Sequence, residues 1–161
     1  MKLRLLWPLV LLGAVHGALA AEPRPAAIFP VELFDTSGEG AKPGQLERLA
    51  LATRTLTAVL TESGRYRPVD LGPFETEIDA LGPRYKCDGC WMGIARKSGA
   101  EIAVVPVVHK VSTLISILDI WLVDVSTGQY VAHINGQLRG DTDTAYVRAV
   151  DFLIKDRLLG Q

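Results

Sequence analysis

Residues 101–140 read EIAVVPVVHKVSTLISILDIWLVDVSTGQYVAHINGQLRG, and this block restricts the fold more than any other stretch. EIAVVPVVHKVS, 101–112, is rich in valine and strand-like, because β-branched side chains suit a pleated, half-buried surface. LISILDIWLVDVS, 114–126, is almost continuously apolar, the pattern of a central strand covered on both faces. Thr127-Gly128 supplies a tight turn, and QYVAHINGQLRG, 129–140, returns. Within it His133, Asn135, Gln137 and Arg139 alternate with Ala132, Ile134 and Leu138, so one face is expected to meet water.

The remaining elements follow from shorter signals. Residues 21–27 form an extended leader, and IFPVELFD, 28–35, reads as a first strand with Pro30 marking an edge or strand start. TSGEGAKPG, 36–44, is a loop. Leu46, Leu49, Thr53, Leu56 and Leu60 share one face of a helix expected over 45–63, and Gly64 stops it in the left-handed position. YRPVDL, 66–71, is a short strand, and FETEIDAL, 74–81, a weak helical turn. A further helix runs through Trp91, Ile94 and Ala95 to Ser98-Gly99. The last helix spans 142–159 with Asp141 or Thr142 as its cap, Asp143 at its positive end and Lys155 and Arg157 at its negative end. The expected architecture is therefore α/β (α+β): a two- or three-layer sandwich with a mixed sheet of about five strands and three main helices, in the order β-α-β-α-β-β-β-α.

The first twenty residues, MKLRLLWPLVLLGAVHGALA, have the three parts of a secretory signal peptide. Lys2 and Arg4 precede an apolar core, and Ala18-Leu19-Ala20 is a small-x-small cleavage site. The apolar stretch is shorter than the roughly 20 residues of a spanning helix, and no cysteine follows it for lipidation. The expected mature chain, 21–161, is a single exported periplasmic domain without a membrane anchor. Loss of Lys2 and Arg4 takes the 17 basic side chains to 15 against 18 acidic ones, a net charge near −3. With no basic block left, a nucleic-acid or anionic-membrane partner is disfavoured.

The only cysteines, Cys87 and Cys90, form a C-x-x-C in KCDGCWMG. Trp91 stands where a c-type haem anchor needs histidine. A structural zinc needs four ligands, and the nitrogen donors left after export, His109 and His133, are remote in sequence. A thiol-disulfide centre would place Cys90 in the first turn of a helix, where the dipole lowers a thiol pKa. Against it, Trp91 follows the pair rather than preceding it, and Asp88 between the sulfurs disfavours a thiolate. In an exported chain the simplest reading is a structural disulfide. FDTSG, 34–38, has its glycine misplaced for an aspartic-protease motif, and Asp35 is expected to end a strand and bond nearby loop amides. RGD, 139–141, falls at a strand-to-helix junction and reads as part of a helix cap. His109 and His133 could face one another as a metal pair, without identifiable carboxylate partners. No G-x-S-x-G, Walker A, G-x-G-x-x-G or H-E-x-x-H is present. No catalytic residue, cofactor or metal is expected.

Several stretches together resemble a family of small secreted Gram-negative proteins carrying a domain of unknown function. They are FPVELFDTS (29–37), ESGRYRPVDL (62–71), CDGCWMGIARKSGAEIAVVPVVHKVSTLI (87–115), DVSTGQYV (124–131) and GQLRGDTDTAYVRAV (136–150). The arrangement of strand, long helix, "sGRY-x-x-VD" strand and "D-x-x-TG" hairpin is also similar to amino-terminal domains of the TolB type and to the curli-channel lipoprotein. That resemblance implies a non-enzymatic envelope module whose partner is another envelope protein; the lipidated cysteine of such relatives is missing here. At the level of the family it also suggests an accessory to an exported quinoprotein alcohol dehydrogenase system, although no residue here carries that association. The surface expected to meet the partner is His133, Asn135, Gln137 and Arg139, with the 36–44 loop.

Overall fold

The computed structural model describes residues 21–40 and 42–160. The proposed signal peptide and its cleavage site lie outside the described residues. Six strands form one mixed sheet: β1 (Arg24–Ile28), β2 (Glu32–Asp35), β3 (Tyr66–Pro68), β4 (Ile102–Lys110), β5 (Ile115–Asp124) and β6 (Tyr130–Arg139). Their order is β3-β1-β4-β5-β6, with β2 also paired to β4. Four helices join them: α1 (Gln45–Glu62), α2 (Glu75–Ala80), α3 (Met92–Lys97) and α4 (Asp143–Phe152), the last continuing as a π-helical segment, Leu153–Leu158.

The parallel half explains the layering. From β1 to β3 the chain crosses the sheet one way, and from β3 back to β4 it crosses the other. Right-handed crossovers in opposite directions put their helices on opposite faces. One core accordingly joins α1 and α4 to the sheet through residues such as Leu56, Leu60, Ile120, Leu122 and Val150. A smaller core on the other face joins α2 and α3 through Ile78, Trp91 and Ile94 to Phe29, Ala103 and Val105. The result is a three-layer α/β/α sandwich whose second helical layer covers the parallel strands and the Val123 end of β5 but leaves the rest of the antiparallel half uncovered.

The first strand differs from the sequence reading of one strand over 28–35 behind an extended leader. It is two strands, and the leader supplies the first of them. Ile28 pairs with Val104 and Glu32 with Val107, so the incoming chain spends one more residue than β4 across the junction. Pro30 lacks the donor a continuous ladder would need. Thr53 Oγ1 of α1 accepts the neighbouring Val31 N–H at 2.9 Å, so the break is satisfied from the helix layer. On β4, Phe29 N–H donates to Val104 O, which turns alternate positions 104, 106 and 108 toward this edge. The missing N–H of Pro106 therefore falls opposite the same break.

Two further expectations are corrected. The strand covered on both faces is β4, buried at every position except His109, whereas β5 alternates. Its Leu118, Ile120 and Leu122 are buried under α1 and α4, but Ile117, Asp119 and Trp121 are only partly covered, because α3 ends before reaching them. In α1 the inner face is Gln45, Leu49, Ala52, Leu56, Val59 and Leu60, and Leu46 is exposed. Gly44 enters the helix with φ 72° and turns Gln45 rather than Leu46 inward. Gly64 holds φ 67° after Ser63, as expected for a left-handed helix stop.

Candidate functional site

The sheet face opposite α1 and α4 carries two aromatic–histidine stacks, one on the parallel β2–β4 pair and one on the antiparallel β5–β6 pair. Phe34 and His109 are register partners on β2 and β4 and stack with centroids 4.6 Å apart. Tyr85 stacks on the other face of Phe34, also at 4.6 Å. Thr36 Oγ1 and His109 Nε2 are 2.8 Å apart. Further along, Trp121 of β5 and His133 of β6 are partners, nearly parallel at 4.8 Å. His133 Nε2 lies 2.9 Å from Asp119 Oδ1 on the adjacent strand. The two histidines thus share a face but not a site. His109 pairs at the level of Ile117 and His133 at that of Trp121, two strands away, so each is committed to its own neighbours. Among the described residues no group of three or more His, Cys, Asp or Glu could hold a metal ion.

His133, Asn135, Gln137 and Arg139 are all exposed, as expected, and line this face along β6. The register brings Asp119 and Trp121 beside them, which the sequence alone did not indicate.

At the edge of the face, Cys87 and Cys90 are joined by a disulfide. Helix α3 begins at Met92, so Cys90 lies before its first turn rather than in it. The loop is anchored by Arg84, which is buried. Its Nη2 donates to Pro30 O at 2.8 Å and is 3.2 Å from Glu32 Oε1, while its backbone N–H donates to Glu32 Oε2 at 2.8 Å. Its guanidinium lies over the Phe29 ring at 5.8 Å. Burial holds the Arg84 pKa below the usual guanidinium value, with Glu32 opposing the shift. Arg84, Tyr85, Trp91, Trp121 and Tyr130 surround a cavity of about 200 Å³ beside the disulfide.

At the carboxyl end of β2 and β4 sits Lys110, another buried cation. Its Nζ lies 3.4 Å from Asp35 Oδ2 and 3.5 Å from Glu39 Oε2. Asp35 Oδ1 also accepts from the Ser37 hydroxyl and amide, as its strand-end reading requires. Those Ser37 bonds, helped by Lys110, hold its carboxyl below the usual value. Glu39 is lowered by its bonds from the Thr113 hydroxyl and amide, again with Lys110. RGD is likewise structural. Asp141 receives Arg48 Nε and Nη2, both at 2.8 Å, and the cap of α4 is Thr142, whose Oγ1 accepts from Ala145 N–H at 3.2 Å. Beneath that pair Tyr146 is buried, and burial, with the Asp141 charge, pushes its pKa up to about 12.

In the 124–129 turn, Asp124 accepts from Ser126 and Thr127, and Arg24 is 3.0 Å away. The Ser126 hydroxyl, then the Thr127 amide, hold its carboxyl far below the usual range. Three carboxylates are thus lowered in the folded state, from ordinary values of 3.8 for aspartate and 4.5 for glutamate. The unfolded chain binds these protons first as pH falls. Their stabilisation is complete above about pH 5 and is lost progressively below it. Urea midpoints measured from pH 7 to pH 2 are expected to fall below pH 4, and Asp124→Asn to make that fall shallower. Tyr146 acts at the other end: the unfolded phenol ionises near 10, so stability is lost from there toward 12.

The class is that of a small α/β/α sandwich with an antiparallel half bare on one face. Within that class, the chain belongs to the DUF3280 family, described as "Protein of unknown function (DUF2380)", whose model matches residues 24–158. This is the kind of family the sequence resembles. No curated protein matches the sequence. Among solved structures, the LpoB C-terminal domain from Salmonella enterica has a TM-score of 0.55 at 17% identity, covering 76% of this chain and 87% of its own. Lipoprotein GNA1162 from Neisseria meningitidis has 0.52 at 17%, covering 84% and 99%. A PelC dodecamer from Paraburkholderia phytofirmans has 0.51 at 14%, covering 84% and 88%. At these identities the likeness is one of fold.

Proposed function

We propose that this protein is a non-enzymatic binding or accessory module of the bacterial envelope, exported by a signal peptide cleaved after Ala20. Its partner is another envelope protein. The observation that carries the reading is the sheet face opposite α1 and α4: aromatic and histidine side chains stacked in place, bordered by His133, Asn135, Gln137 and Arg139. Partly exposed aromatic rings bordered by polar groups suit a protein interface. The fold likeness to a lipoprotein, GNA1162, supports the location. Nothing in the geometry favours an accessory role to a quinoprotein alcohol dehydrogenase.

The disulfide is structural in this reading. It cross-links the loop between Arg84 and Trp91, both buried. Reduction under native conditions is expected to lower unfolding stability by about 2 kcal/mol, the loop-entropy value for so short a ring. A reduction potential above about −230 mV would instead mark a thiol-disulfide oxidoreductase.

The function is tested by placing a photo-crosslinking amino acid at Asn135 and, as control, at Arg54 on the exposed side of α1. Irradiation of cells is expected to give a discrete high-mass adduct from position 135 only. Absence of that adduct refutes the reading. Intact mass of the periplasmic protein should begin at Ala21 and be two hydrogens short.

A further inference from the structure

The bare face ends in a strand whose outer side is open. Strand β6 is last in the sheet order, and among the described residues no strand pairs with its far side. The hydrogen-bond phase is fixed at one end, where Gly140 N–H donates to Leu114 O at 3.0 Å. Residues 115–122 and 132–139 continue in the same register. In an antiparallel pair alternate residues turn their main-chain groups toward the neighbour. Residues 132, 134, 136 and 138 therefore bond β5, and the N–H and C=O groups of His133, Asn135, Gln137 and Arg139 point outward. Side chains and main chain of the same four residues are thus both available.

Native sheets ordinarily blunt such an edge with proline, lysine, a bulge or a covering element. From Ala132 to Arg139 β6 has no proline or lysine and no register irregularity. Beside the edge runs a groove of about 360 Å³, lined by Gln137, Arg139, Thr144, Arg148 and Phe152. Arg139 and Arg148 have no carboxylate partner among the described residues, unlike Arg24, Arg48 and Arg84. Phe152 is half exposed, with the Arg157 guanidinium over its ring at 5.6 Å. A second copy of this chain does not complement the groove, because β6 carries no acidic residue and would bring only another Arg139.

We infer that the β6 edge receives an extended, acidic segment of the partner protein as a seventh strand, its carboxylates seated on Arg139 and Arg148. This inference rests on the binding function proposed above. Strand addition gives affinity through main-chain bonds and specificity through alternate side chains, and guanidinium forks select carboxylates.

The test uses the natively purified periplasmic protein, isotopically labelled, and two blocked peptides of about eight residues, alternating valine with glutamate or valine with lysine. The glutamate peptide is expected to shift and protect the amides of residues 133, 135, 137 and 139, and to bind about ten-fold more tightly than the lysine peptide. That preference should vanish in Arg139→Gln/Arg148→Gln and shrink at high salt. Asn135→Pro removes an outward donor while sparing the ladder to β5, and should abolish binding. Since proline at 135 could unsettle β6 itself, the glutamate peptide N-methylated at alternate amides makes the same test on the ligand, and it should not bind.

No binding of the glutamate peptide, equal binding of the lysine peptide, or amide shifts confined elsewhere would overturn the inference. So would a dimer in sedimentation that Asn135→Pro dissolves, since a second copy would then be the occupant. A crosslinked adduct at Asn135 together with failure of the peptide leaves the binding function standing and removes the strand-addition mode. Loss of the adduct removes both.

Discussion

Arg84→Ala is expected to lower the unfolding free energy by about 3 kcal/mol, within the 3–5 kcal/mol range for breaking a buried ion pair. The low end applies because Glu32 keeps one strong bond: its Oε2 still accepts the main-chain N–H of residue 84. What is lost is the Nη2 bond to Pro30 O, the attraction to Glu32 Oε1 and the cover over Phe29. Pro30 O then loses its side-chain donor, and Glu32 loses the buried guanidinium that offset its charge. Lysine at 84 does not replace the guanidinium, since a compact, strongly hydrated ammonium lacks the planar group that lies over Phe29. Chemical denaturation of Arg84→Ala, Arg84→Lys and Glu32→Gln checks this. If Arg84→Ala lies within about 0.5 kcal/mol of the parent, the range of an unremarkable surface substitution, the residue is not an anchor. The effect should also reach the bare face, because Tyr85 follows Arg84 and stacks on Phe34.

Neither Arg84 nor its partner was legible in the sequence. A charged residue between Pro83 and Tyr85 reads as loop, and its anchor, Glu32, lies 52 residues earlier in the chain. The repeated elements were easier: α1, α4, β4, β5 and β6 follow from periodicity and turn residues, which are local. The double strand β1–β2 was not, because Arg24-Pro25 looks like a leader and pairs only once β3 and β4 flank it. The polar face of β6 was visible as an alternation, but what stands beside it was not. Val123 pairs with Tyr130 and Leu122 with Ala132, leaving Val131 as an extra residue. Without that bulge Trp121 would sit opposite Ala132, and Asp119 opposite Ile134. The one-residue shift turns the polar side of β6 toward Trp121 and Asp119 instead. No residue type in VDVSTGQYV announces it. The histidine pair failed as a metal site for the same reason: register, not sequence distance, assigned His133 to Asp119 and His109 to Thr36.

The same alternation separates two substitutions on β5 that the sequence would treat alike. Leu122→Ala is expected to cost about 3 kcal/mol, and Ile117→Ala about 1 kcal/mol or less. Leu122 is fully buried between the sheet and the α1–α4 layer, so truncation leaves a cavity walled by helices on one side and strands on the other. Such a site collapses poorly, and the cost of the void adds to the lost transfer energy. Ile117 points to the opposite side, where no helix covers β5, and truncation there exposes surface that water already reaches. A strand covered on both faces would make the two costs similar. Thermal or urea unfolding of both variants decides it: equal losses would mean that a layer covers the antiparallel half. Unequal losses of the stated size, with Ile117→Ala keeping its fold, would identify that face as one no layer of the domain covers.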